Sequence, residues 1–335
     1  MEATLHHFIV GLADTHLLLL FGLIGVCLGV LGKSADVLVE EAVLLAQRWG
    51  VPTVIIGATL VSLGTTTPEA AISVFAALQG EPGLALGNAV GSVICDTGLI
   101  LGLAILLGPV PLDQKVVGRQ GWIQFGSGVL LVATTVVFGS RLPRAMGFVY
   151  LALLGAYLYL SVMWARGAKS ESVAEAGADS TALVICKLLV TLLFVVGASH
   201  ILIPAVEVAA LRLGVPEDII AATLVAFGTS LPELVTAVTA VRKGEGGLAV
   251  GNVIGADILN VLFVAGTAAA VTPGGLLAPP TFFKLHFPAM LGILAVFRVG
   301  IYLSGDRMRK PFGYLLLGLY GGYLSLQMFL FGGMR

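Results

Sequence analysis

Long apolar runs alternate with short polar interruptions along the chain, at a spacing that predicts helices crossing a bilayer. Ten runs lie near 15–47, 51–79, 83–108, 121–139, 144–165, 182–211, 216–242, 247–272, 281–304 and 312–333. Each is long enough to cross about 30 Å of hydrocarbon at about 1.5 Å per residue. The first and sixth exceed that length, which predicts tilt or an emergent end. Only residues 166–181, small and polar throughout, have the composition of a linker. They divide the chain into 1–165 and 182–335, with five predicted spans in each half.

Composition agrees with this pattern. The chain is 58% hydrophobic and 11% charged, with mean hydropathy +1.02. Soluble domains hold about 45–50% apolar and about 25% charged residues, so the expected class is an all-α polytopic membrane protein. A net charge of −1 excludes nucleic-acid binding, which needs a concentrated basic face. Cys27, Cys95 and Cys186 lie far apart in apolar sequence, so neither a disulfide framework nor a CxxC metal site is expected. The first fourteen residues hold no Lys or Arg, and no cleavable leader is expected. With both termini outside, the cytoplasmic loops hold about ten basic residues against about five outside, which favours that orientation. Without eukaryotic targeting signals or large regulatory loops, a prokaryotic inner membrane is the expected compartment.

The strongest signal is an internal repeat. Residues 33–104 align with 197–268 at a constant offset of 164 and without a gap. IIGATLVSLGTTTPE at 55–69 returns as IIAATLVAFGTSLPE at 219–233, and GLALGNAVGSVICD at 83–96 returns as GLAVGNVIGADILN at 247–260. Between 55 and 104, 23 of 50 positions are identical. Shared packing needs of Gly-rich helices would not preserve polar residues at matched positions. Five spans per half is an odd number, so the second copy is expected to enter the membrane from the opposite side. That is the architecture of transporters built from inverted repeats.

Each copy holds two polar clusters. The first is Gly64-Thr65-Thr66-Thr67-Pro68-Glu69, mirrored by Gly228-Thr229-Ser230-Leu231-Pro232-Glu233. Proline removes an N–H and clashes with the carbonyl four residues back, so acceptors are freed near 64–65 and 228–229. Gly and hydroxyl residues on the same turn make that stretch easy to unwind, and unwound backbone survives in a membrane only beside a cavity or within protein. Its carbonyls and hydroxyls are hard oxygen ligands suited to Na⁺ or Ca²⁺. Glu69 and Glu233 are mid-membrane carboxylates with no Lys or Arg within a turn or two. A charge there costs about 2.5–3.5 kcal/mol on insertion scales. A bound cation or a proton is the natural counterpart, and a neutral Glu bonded to backbone is the competing reading.

The second cluster is Asn88, Gly91, Ser92 and Asp96, mirrored by Asn252, Gly255, Ala256 and Asn260. Positions 88, 92 and 96 share a helix face, as do 252, 256 and 260. The expected site collects Glu69, Asp96, Glu233 and Asn260 from four helices, with a charge of −3 when ionised. That charge suits a divalent ion, alternating with monovalent ions or protons. Asp257, about 60° off this face, takes either a supporting role behind the site or a place on a proton or ion pathway. Lys33, Lys187 and Arg298 are expected to snorkel, and His200 to be a packing residue rather than a pH sensor.

At these residues the sequence resembles the Ca²⁺:cation antiporter superfamily, specifically its prokaryotic sodium/calcium exchanger branch. GTTTPE/GTSLPE and GNAVGS/GNVIGA are the motifs that carry the likeness, over 33–104 and 197–268. The resemblance implies ten helices, alternating access, and a Ca²⁺ site flanked by Na⁺ sites. Carried over by position, Glu69 and Glu233 with backbone oxygens near Thr65 and Thr229 would hold Ca²⁺. Asp96 and Asn260 would complete the centre, and Thr66, Ser92 and Ser230 would line sodium sites. Three positions depart from the family pattern. Asp96 and Asn260 exchange the usual Asn and Asp, Ala256 replaces a Ser, and Asp257 and Val93 stand where Asn is usual.

The leading expectation is a secondary antiporter exchanging Ca²⁺ for Na⁺, with transported cations and lipid as its partners. No cofactor is expected, and no protein partner is indicated. A H⁺-coupled exchanger of Ca²⁺ or another divalent ion is the closest alternative, prompted by Ala256 and Asp257. An intramembrane aspartyl protease needs facing carboxylates and a peptide route. A passive channel predicts multimeric pore rings and no counter-ion dependence.

Overall fold

The computed structural model describes residues 17–167, 180–213 and 229–331. The stretch 214–228, the core of the linker and both chain ends lie outside the described residues. The fold is helical: α1 (Leu17–Trp49), α2 (Thr53–Thr65), α3 (Thr67–Leu78), α4 (Pro82–Leu107), α5 (Val117–Val137), α6 (Arg144–Gly167), α7 (Thr181–Arg212), α8 (Leu231–Arg242), α9 (Gly246–Val271), α10 (Phe282–Ser304) and α11 (Lys310–Phe331). Seven of these are long and apolar enough to cross a membrane, so the chain is an integral, multi-pass membrane protein. The shorter α2 and α3 meet head to tail at Thr66 and together occupy the run expected at 51–79. The first part of the run expected at 216–242 falls outside the described residues, and α8 is its remainder.

The helices sort by burial. In α9, 94% of the most apolar window is buried, against 28% in α7, so α9 runs through the centre while α1 and α7 pack along each other at the periphery. Lipid offers no hydrophobic gain for joining apolar helices, so central packing depends on close backbone approach. A Cβ on Gly251 would strike the backbone of Val54, and one on Gly255 would lie 2.6 Å from the Ala58 backbone. A Cβ on Gly57 would lie 2.5 Å from the Leu248 carbonyl. These three glycines let α2 of one copy cross α9 of the other with backbones touching.

Two short pairings close the ends of the bundle. Strand β1 (Arg141–Leu142) pairs antiparallel with β2 (Leu276–Leu277), joining the loop after α5 to the loop after α9. At the other end of α5, Pro111 bridges Arg307, joining the loop after α4 to the loop after α10. Loops 108–116 and 272–281 follow equivalent helices in the two copies, yet they lie at opposite ends of α5.

Two of the basic residues expected to snorkel are engaged instead. Lys187 pairs with Glu41 at 3.4 Å, and the Arg298 guanidinium lies 4.3 Å from the Trp122 ring centre. A partner within reach on a neighbouring helix holds the side chain better than an extended route to the interface does.

Candidate functional site

Pro68 and Pro232 sit in the first turns of α3 and α8 and set the helix starts. Each first turn carries the glutamate that follows, Glu69 or Glu233, so both carboxylates lie at the positive end of a helix dipole. The expected unwinding is narrower than the sequence suggested. In the first copy it is confined to Thr66 (φ −82°, ψ −7°), and Ala70 N–H still bonds to the Thr66 carbonyl. Proline at the second position of a helix loses only an N–H that would be unpaired anyway. In the second copy Thr229 and Ser230 form the turn before α8, while Gly228 lies outside the described residues.

Asp96 and Asn260 occupy matching backbone features that the helical periodicity did not reveal. Each opens a wide π-helical turn, Asp96–Leu101 in α4 and Asn260–Ala265 in α9. Such turns recur at functional sites, because the extra residue re-aims side chains. Helix α3 packs on the wide turn of α9, and α8 packs on that of α4. The glutamate of each copy is thereby delivered to the amide or carboxylate of the other.

The expected centre comes together. Asn260 Nδ2 donates to Asp96 Oδ2 at 3.4 Å, and Thr66 Oγ1 donates to Glu233 Oε1 at 3.4 Å. Thr65 also lies against Glu233, and Ser230 beside Asp96. Glu69 lies within electrostatic reach of Glu233 and Asp96. Thr65, Thr66, Glu69, Ser92, Asp96, Ser230, Glu233, Asn252, Asp257 and Asn260 are all buried, whereas Asn88 and Thr229 are half-buried.

Among the described residues, many of these oxygens have no donor. They include both oxygens of Glu69, one each of Asp96, Glu233 and Asp257, the hydroxyls of Ser92 and Ser230, and Asn260 Oδ1. A buried acceptor without a partner costs about 1–3 kcal/mol, and more when charged. Hard cations are bound by mixed sets of carboxylate, amide, hydroxyl and carbonyl oxygens. Among the described residues no three His, Cys, Asp or Glu side chains converge on a point by themselves, so neutral oxygens have to complete any coordination shell.

The matched asparagines differ. Asn88 Nδ2 donates to the Glu69 carbonyl at 3.2 Å and to Ser73 Oγ at 2.9 Å, tying α4 to α3. Both side-chain polar atoms of Asn252 lack a partner among the described residues. Asp257 Oδ2 accepts from Thr97 Oγ1 and Gln124 Nε2. Gln124 Nε2 also reaches Thr97 Oγ1 at 3.0 Å.

Sequence reasoning missed Ser73, Thr97 and Gln124. Gln124 lies on α5, outside the repeat, and its only signal was an uncharged polar residue within an apolar run. Tyr157 on α6 was also missed; its hydroxyl donates to the Ala58 carbonyl at 3.1 Å, beside a wide turn in α2, Gly57–Val61.

The family described as sodium/calcium exchanger protein matches residues 19–163 and 183–329. The inner membrane protein YrbG of Escherichia coli (strain K12) is 34% identical over 306 residues, covering 89% of this chain and 93% of that one. The sodium/calcium exchanger MaX1 of Methanosarcina acetivorans is 30% identical over 355 residues, covering 94% of this chain and 98% of its own length. A solved structure of the sodium-calcium exchanger NCX_Mj superimposes with TM-score 0.79 at 25% identity, covering 95% of this chain and 99% of that chain.

Proposed function

The chain belongs to the sodium/calcium exchanger family, and from that membership we propose that it exchanges Ca²⁺ for Na⁺ by alternating access. The observation that carries this reading is the set of buried oxygens that, among the described residues, have no donor where the two copies cross. In this reading Glu69 and Glu233, with backbone oxygens near Thr65 and Thr229, hold Ca²⁺. Asp96 and Asn260 complete the centre, while Thr66, Ser92 and Ser230 serve Na⁺. Competition supplies the coupling: Na⁺ neutralises the carboxylates that Ca²⁺ needs, so either ion fills the site but not both fully.

The proposed architecture is ten membrane segments in two inverted halves, 1–165 and 182–335, joined by the linker 166–181. The placement of loops 108–116 and 272–281 at opposite ends of α5 supports the inversion. An inner membrane with both termini outside is the proposed setting, supported by the excess of basic residues in one set of alternating loops.

A second reading, H⁺-coupled exchange of Ca²⁺ or another divalent ion, is favoured by the buried Asp257 cluster and by the missing hydroxyl at Ala256. Uptake of ⁴⁵Ca²⁺ into proteoliposomes, driven in turn by outward Na⁺ and outward H⁺ gradients, separates the two. Uptake with Na⁺ alone supports the first reading. Uptake with H⁺ alone rejects it in favour of the second, and flux without any counter-gradient rejects both.

A further inference from the structure

A crevice of about 260 Å³ opens between α5 and α6 beside the start of α2, and none of the central oxygens lines it. Lys115 and Arg119 stand on its rim, Gln120 forms its floor, and Ile55, Met163 and Trp164 supply apolar wall. The Arg119 guanidinium lies 4.5 Å from the Trp164 ring centre, which fixes its direction. Among the described residues neither Lys115 nor Arg119 has a carboxylate partner. The nearby Asp113 turns Oδ1 to the backbone, accepting from the N–H groups of Lys115 at 2.8 Å and Val116 at 3.3 Å.

Gln120 gives the crevice chemical character. It is 1% exposed, its Nε2 reaches Ser161 Oγ at 3.5 Å, and its Oε1 has no partner among the described residues. A ligand that fits therefore brings negative charge to Lys115 and Arg119 and a hydrogen-bond donor to Gln120. A headgroup amine would satisfy Gln120 but add a third cation beside two unpaired ones. A neutral hydroxyl satisfies it without that repulsion. The setting is an interfacial one, with basic residues and a tryptophan at one end of otherwise apolar helices.

We propose that this crevice binds the headgroup of an anionic, hydroxyl-bearing phospholipid of the phosphatidylglycerol class. The phosphodiester meets Lys115 and Arg119, a headgroup hydroxyl donates to Gln120 Oε1, and the upper acyl chain lies on Ile55 and Met163. The site is separate from the ion centre, so the proposal does not depend on which cation drives exchange.

Native mass spectrometry of the full-length chain in detergent tests it, using three lipids with identical acyl chains. Phosphatidylglycerol is expected to bind more tightly than phosphatidylmethanol, which has the same charge without the hydroxyls, and than phosphatidylethanolamine. Lys115→Gln with Arg119→Gln should weaken phosphatidylglycerol about 30-fold, at about 1 kcal/mol per interfacial charge. Gln120→Leu should bind phosphatidylglycerol and phosphatidylmethanol equally while still preferring both over phosphatidylethanolamine. Equal binding of phosphatidylglycerol and phosphatidylmethanol by the unmodified chain would overturn the role of Gln120. Unchanged phosphatidylglycerol binding in the double variant would overturn the site. Thermal unfolding identifies any misfolded variant, and Lys115→Gln alone, on an exposed side chain, then replaces the double change with the same two outcomes.

Discussion

Asn260 donates its side-chain amide to Asp96 across the boundary between the two copies, and the two residues hold the same position in their respective repeats. The contact pairs a donor with a carboxylate where two identical carboxylates would repel. Either order of amide and carboxylate satisfies that contact and leaves the total charge unchanged. Asp96→Asn combined with Asn260→Asp is therefore expected to retain Ca²⁺ uptake. Asp96→Asn alone, with one carboxylate fewer, should weaken Ca²⁺ about 10- to 100-fold. Isothermal titration with Ca²⁺ checks both, and a dead double variant would show that the direction of the pair matters.

Glu69→Gln and Glu233→Gln should each reduce gradient-driven ⁴⁵Ca²⁺ uptake to background. Each glutamate sits at a helix start among oxygens that have no donor among the described residues, and an amide brings donors where a cation needs acceptors. Full-rate uptake in either variant would remove that residue from the site.

Asp257→Asn keeps an oxygen for Thr97 and Gln124 while removing a charge. Na⁺-driven uptake is expected to stay within about twofold, because Oδ2 is already held by two donors of its own, whereas any H⁺-driven component should vanish. Loss of Na⁺-driven uptake would bring Asp257 into the ion site itself.

Ala256 is buried on the face that carries Asn252 and Asn260. Ala256→Ser restores a hydroxyl ligand there and should raise the apparent Na⁺ affinity in a Na⁺ titration of uptake. An unchanged titration would count against the missing hydroxyl as a determinant of coupling.

Gly251→Ala and Gly255→Ala each drive a Cβ into the backbone of α2 and should cost about 1–3 kcal/mol each. Gly318→Ala, with nothing within 4 Å among the described residues, should instead stabilise by about 0.5–1 kcal/mol. Denaturant unfolding in detergent compares the three.

The repeat made most of the site legible. Polar residues repeated at a fixed offset inside apolar runs have no packing reason to persist, so the sequence alone groups Glu69, Asp96, Glu233 and Asn260. The missing parts fail for identifiable reasons. The wide turns at Asp96 and Asn260 add one residue to a helix without changing its hydrophobic pattern, so periodicity is blind to them. Gln124 and Tyr157 lie outside the repeat and act through isolated hydrogen bonds to other helices, which leave no pattern in one sequence. The unwinding expected near 64–65 is narrower in the structure because Pro68 begins a new helix and does not interrupt a continuous one.

The two end pairings impose a rule of matched length. From Pro111 to Leu142 and from Leu276 to Arg307 the chain takes the same 31 steps, one stretch carrying α5 and the other α10. Fastened at both ends, they behave as the two uprights of a ladder whose rungs cannot shift independently. A residue inserted into one upright alone would throw a rung out of register, so lineages that lengthen α5 are expected to lengthen α10 by the same amount.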